Sequence, residues 1–123
     1  MISSNASRIL CDMGLREPLD ACGIHMKRVV FMKHDDGATL NDQTYYDAEA
    51  QLGAPLWQIH RADLHDVLLA KAQKLGVKIT MGAKVKSFDW DAPNALLEDG
   101  TVVTADVILA SDGQLMYSFP TEA

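Results

Sequence analysis

Apolar residues recur along the chain with different rhythms, and each rhythm predicts a different element. Ile9, Leu10 and Met13 follow helical spacing behind Ser4 or Asn5, either of which can cap, and Gly14 offers a left-handed stop, so a first helix of about three turns is expected. Leu15 to Cys22 reads as a second short helix closed by Gly23, with Pro18 tolerated only in its first turn. At Lys27 the rhythm changes. Val29 to Met32 is a β-prone apolar run within Lys27 to His34, and the turn Asp35-Asp36-Gly37 before Ala38-Thr39-Leu40 predicts a hairpin. Asn41 to Pro55 sustains neither period and reads as loop or one short helical turn.

The second half is more strongly patterned. Trp57 to His60 is a short strand candidate that runs into the firmest helix of the chain, Ala62 to Leu75. Leu64, Leu68, Ala72 and Leu75 form one stripe of that helix with Val67 beside it, and Gly76 stops it. Val77 to Thr80 alternates as a strand. Lys84 to Trp90, Ala95 to Glu98 and Thr101 to Thr104 then form a predicted meander with turns at Pro93-Asn94 and Asp99-Gly100. Asp106 to Ala110 is nearly continuous in apolar residues, as a strand buried on both faces would be, and opens into Ser111-Asp112-Gly113, the kind of glycine turn where α/β proteins place ligands. The expected packing sets Leu64, Leu68, Ala72 and Leu75 against a sheet containing Val107, Ile108 and Leu109. The fold class is therefore α/β, mixed α+β in detail.

Composition narrows the functions. Within 123 residues, 17 acidic side chains outnumber 11 basic ones and leave a formal charge of -6. With no Lys/Arg run to release counterions, nucleic acid and anionic membrane surfaces are not expected partners. No apolar run reaches the ~20 residues of a membrane span, and the N-terminus lacks a basic segment followed by an apolar one. Cys11 and Cys22 form no CxxC spacing and read as isolated thiols of a reducing compartment, so a soluble cytoplasmic protein is expected.

Two constellations carry chemistry. Trp57-Gln58-Ile59-His60-Arg61-Ala62-Asp63-Leu64-His65 places an arginine, with five fixed donors, beside a helix N-terminus, which suits a phosphate or a polyhydroxyl ligand. The alternative is an ordinary surface pair of Arg61 with Asp63 or another carboxylate. In Ala105 to Gly113 the glycine permits close backbone approach, and Asp112 can accept from a hydroxyl or orient an arginine; Asp-Gly is also a common plain turn, as at Asp99-Gly100. His60 and His65 do not share a helical face, so no metal site is expected. There is no GxSxG, GxGxxG or Walker sequence, and the carboxylate pairs Asp35-Asp36 and Asp89/Asp91 sit in predicted turns.

Taken together, these motifs resemble the FAD-dependent aromatic-hydroxylase family of salicylate-hydroxylase-like monooxygenases. Asn5 to Leu10 with Gly14-Leu15 looks like the helix after that family's first βαβ unit, and His60 to Leu64 like its arginine motif. Leu97 to Gly100, Ala105 to Ile108 and Ser111 to Gly113 look like the run into its DG motif. The resemblance implies that Arg61 reaches the ribityl-pyrophosphate region of FAD, that Val85 presents backbone groups to the adenine, and that Asp112 and Gly113 support the flavin and the approach of NAD(P)H. It divides the chain into residues 1–24, a helical part of the FAD-binding domain, residues 25–57, part of the substrate-binding sheet, and residues 58–123, a return to the FAD-binding domain. It implies a small aromatic or related hydrophobic substrate. It assigns no catalytic acid or base; His60, His65 and Tyr45 read as structural. The family's GxGxxG unit and later GD motif have no counterpart here, and Met116 and Phe119 stand where its pattern expects Ser and Arg downstream of the DG motif. An internal portion of such an enzyme that holds FAD weakly and does not turn over alone is therefore expected, the alternative being a flavin-free binding or interaction remnant.

Overall fold

The computed structural model describes residues 1–89 and 91–111. The chain divides into two compact units, Met1–Lys78, which mixes helices and antiparallel strands, and Ile79–Ala123, whose described elements are all strands. The first unit begins with helices α1 (Ser4–Asp12) and α2 (Arg16–Cys22), joined at Gly14, whose φ of +71° a Cβ would disfavour. Strand β1 (Ile24–His25) pairs with β4 (Trp57–Gln58), and between them lie the hairpin β2 (Arg28–Met32) and β3 (Thr39–Thr44) and the short helix α3 (Ala48–Leu52). Helix α4 (Arg61–Lys74) follows β4 directly and packs on α2. The second unit is the meander β5 (Val85–Asp89), β6 (Asn94–Leu97) and β7 (Val102–Thr104), antiparallel throughout, with β6 in the centre.

Two small cores hold the first unit. Ile2, Leu15, Leu19 and Trp57 are buried together, with Leu10, Cys11, Ile59, Leu64 and Val67 packed around them; Met26, Ala48 and Leu56 form a second cluster, flanked by Val29 and Tyr45. Ser7 supplies the polar tie: fully buried, its hydroxyl donates to the Pro55 carbonyl at 2.6 Å and joins α1 to the approach of β4. Ile2 seals the same seam, exchanging both backbone hydrogen bonds with Trp57.

The hairpin, the meander and the helix over 61–74 follow the sequence reading, but five expectations are corrected. α1 turns Ser7, Leu10 and Cys11 inward, leaving Ile9 and Met13 exposed, because the Pro55 carbonyl and the Ile2–Trp57 seam select that face. On α4 the inward stripe is Leu64 and Val67 toward α2, so Leu68 is 41% exposed and Leu75 69% exposed. Val77 to Thr80 forms no strand, and neither does Asp106 to Ala110, where Val107 is 71% and Leu109 85% exposed. Apolar composition makes a segment able to enter a sheet, but a doubly buried strand also needs ladder partners and cover on both faces. Neither segment has a ladder partner among the described residues. Finally, Asn41 to Thr44, expected as loop, extends β3, its polar side chains on an exposed ladder opposite Arg28 to Phe31.

Candidate cofactor-binding site

Arg61 stands at the first position of α4, because His60 closes the strand with an extended backbone (ψ 140°) and caps the helix. The His60 Nδ1 accepts from the Ala62 amide at 3.3 Å, and its carbonyl accepts from the Leu64 amide at 3.1 Å. The remaining first-turn amides and the helix dipole face the same end, the arrangement that attracts anions. The guanidinium is exposed and makes no hydrogen bond or ion pair among the described residues; the anticipated pair with Asp63 does not form. A free planar cation with five donors beside unsatisfied amides can take a phosphate in two parallel hydrogen bonds.

Behind this junction lies a polar network that the sequence did not announce. Trp57 is completely buried, and its indole N–H donates to Asp20 Oδ1 at 2.9 Å. His25 Nε2 donates to the same oxygen at 2.8 Å, its ring edge-on to the indole with centroids 6.2 Å apart. Arg16 reaches Asp20 Oδ2 at 3.4 Å and forks onto Glu49, with its second contact at 3.0 Å. Burial pushes the Asp20 carboxyl upward, but the Trp57 and His25 donors with the charges of His25 and Arg16 outweigh it and hold it below the ordinary aspartate value.

In the second unit Val85 opens β5, at the edge of the meander, where a register shift between Val85 and Ser87 interrupts the ladder to β6. Val85 lines an open cavity of 570 Å³ with Ala83, Phe88, Ala95, Val103 and Ile108. Its walls are mostly aliphatic, with Lys84 and Glu98 as charged members, themselves an exposed pair at 3.7 Å. That volume lies within the range of small-molecule sites, and mostly apolar walls suit an apolar group. Asp112 and Gly113, the other expected site residues, lie outside the described residues. Arg61 belongs to the first unit and Val85 to the second.

Among the described residues no three His, Cys, Asp or Glu side chains are grouped to hold a metal ion, and no helix is long and apolar enough to cross a membrane. Cys11 and Cys22 are free thiols, and burial raises the pKa of Cys11.

No protein-family profile matches the chain. Individual proteins do. It is 32% identical over 116 residues to the FAD-dependent monooxygenase OpS4 of Beauveria bassiana, an alignment covering 91% of this chain and 27% of that protein. It is 32% identical over 113 residues to 3-amino-4-hydroxybenzoate 2-monooxygenase of Streptomyces cremeus, covering 91% and 29%. To 3-hydroxybenzoate 6-hydroxylase 1 of Aquipseudomonas alcaligenes it is 28% identical over 119 residues, covering 91% and 29%. The chain thus spans under a third of the length of these relatives.

Proposed function

We propose that the chain, which is similar over 91% of its length to FAD-dependent monooxygenases, supplies part of a flavin site in an enzyme that hydroxylates a small aromatic or related hydrophobic compound, with NAD(P)H as reductant. The observation that carries the proposal is the Arg61 guanidinium, without a partner among the described residues, at the first turn of a 14-residue helix. Its chemistry fits a phosphate-bearing cofactor: Arg61 and the α4 amides take the pyrophosphate, while the aliphatic groove at Val85 takes the adenine face. Asp112 and Gly113 support the flavin ring and the approach of NAD(P)H. When bound, the flavin supplies the redox and oxygen chemistry. The share of these residues is to bind and orient it.

The proposed division assigns residues 1–24 and 58–123 to the FAD-binding side and residues 25–57 to the substrate sheet. Chain geometry supports it, because Ile24 pairs with Gln58 and His25 with Trp57, so the intervening lobe leaves and rejoins through adjacent strands. An enzyme of this kind, acidic and with two free thiols, suits the cytoplasm.

The test is to titrate the chain with FAD and with riboflavin, which lacks phosphate, following flavin fluorescence. Arg61 and the α4 amides supply only part of what a dinucleotide needs, so FAD binding in the micromolar range or weaker is expected. Arg61→Ala should weaken it by roughly tenfold or more, the value of one charge-assisted contact, and leave riboflavin unaffected. Equal FAD affinity for the two proteins would remove Arg61 from the site. No FAD binding by the unaltered chain would favour a flavin-free role.

A further inference from the structure

Strands β1 and β4 pair over only two positions, Ile24 with Gln58 and His25 with Trp57. A ladder so short specifies its register weakly, yet a slip by one residue would turn Trp57 out of the core and displace the start of α4, four residues beyond it. The side chains of His25 and Trp57, opposite each other in that ladder, both donate to one oxygen of Asp20, at 2.8 and 2.9 Å. A carboxylate on α2 therefore reads both members of a single register pair. It also satisfies an indole N–H on a side chain with no solvent exposure, which a slipped register would leave without a partner.

We propose that Asp20 is a positioning residue: it fixes the register of β1 against β4, and through the stretch from Trp57 to His60 fixes where α4 begins and where Arg61 stands. The functional part of this inference rests on the reading of Arg61 as a cofactor contact. Ile59, Leu64 and Val67 pack against the same buried cluster as Trp57, so the junction is held on both sides of Arg61 and a displacement at Trp57 has no slack in which to dissipate. The groups facing Asp20 are Arg16 from its own helix, His25 from β1 and Trp57 from β4, with Glu49 of α3 behind Arg16 and the Cys11 thiol of α1 nearby.

The experiment is amide hydrogen exchange and indole N–H detection by NMR on the full chain, with Trp90→Phe used to assign the Trp57 resonance, followed by an FAD titration. Asp20→Ala should speed exchange at Trp57, Ala62 and Leu64 by about tenfold or more, as loss of hydrogen bonds to a charged group implies, and leave Ala95 in the meander unchanged. Asp20→Asn, which keeps an acceptor, should restore most of the protection. Because Asp20→Ala risks unfolding the first unit, the unaltered chain gives a second reading: on acidification the Trp57 indole and Leu64 amide shifts should share a step with one midpoint, and Asp20→Asn should abolish that step in both. Uniform acceleration throughout Met1–Lys78, or separate midpoints, would overturn the positioning role and leave Asp20 as a general structural contact. In the FAD arm, Asp20→Ala should weaken binding, and the double variant with Arg61→Ala should bind no more weakly than Arg61→Ala alone; additive losses would overturn the coupling to Arg61. If the unaltered chain binds no FAD, the cofactor reading of Arg61 fails, whereas the exchange and acid-titration results still decide whether Asp20 sets the junction.

Discussion

Replacing Leu19 and Leu68 separately by alanine distinguishes the core seen here from the one that helical periodicity suggests. Leu19 has no solvent exposure and sits among Ile2, Leu15 and Trp57, so truncation removes the transfer energy of its outer carbons and leaves a cavity whose walls are held by α1, α2 and β4. Such sites cost about 2–5 kcal/mol. Leu68 is 41% exposed and therefore has only part of the burial energy of a leucine to lose, with solvent able to fill the gap; about 1 kcal/mol is expected, partly offset by the higher helix propensity of alanine. Urea denaturation followed by Trp57 fluorescence in a Trp90→Phe background reads both, since Trp57 lies in the affected cluster. Equal losses, or a larger loss for Leu68→Ala, would refute the inward orientation of Leu64 and Val67 and restore the stripe of Leu64, Leu68, Ala72 and Leu75.

Ser7→Ala should destabilise the same unit by about 1–3 kcal/mol by leaving the Pro55 carbonyl without its donor, whereas Ser3→Ala, at an exposed position without a side-chain cap bond, should be nearly silent in the same denaturation assay. The Asp20 carboxyl is held below its unfolded value, so its contribution to stability is fully present above about pH 4 and is lost as pH falls through the folded value. Acid unfolding monitored at Trp57 should accordingly be shallower in Asp20→Asn than in the unaltered chain, and parallel curves would contradict that assignment. Arg61→Ala should leave the urea midpoint within experimental scatter of the unaltered chain, because its guanidinium has no protein partner among the described residues; a large shift would mean that Arg61 is a structural residue rather than a ligand contact.

What the sequence made legible is whatever has a local signal. The hairpin was marked by Asp35-Asp36-Gly37, the meander by Asp99-Gly100, and the junction carrying Arg61 by a strand running into a periodic helix. The contacts that hold the junction had no such mark. Trp57 and Asp20 are 37 residues apart, and Ser7 and Pro55 are 48 apart, so neither pair leaves a pattern in any window of the chain. The inward face of α4 has no local mark for a related reason, since Val67 and Leu68 are both apolar neighbours and only the position of α2 decides between them. Asp106 to Ala110 failed differently: its composition marks what it can bury, and no ladder partner among the described residues receives it.

That Arg61 at the start of α4 takes the phosphates of a flavin cofactor is tested most directly by an amide-resolved NMR titration of the chain with FAD. Saturable shifts are expected at Arg61, Ala62 and Asp63 with one apparent affinity, and riboflavin, which lacks phosphate, should move none of them. Shifts confined to the β2–β3 hairpin, or equal shifts with riboflavin, would contradict it.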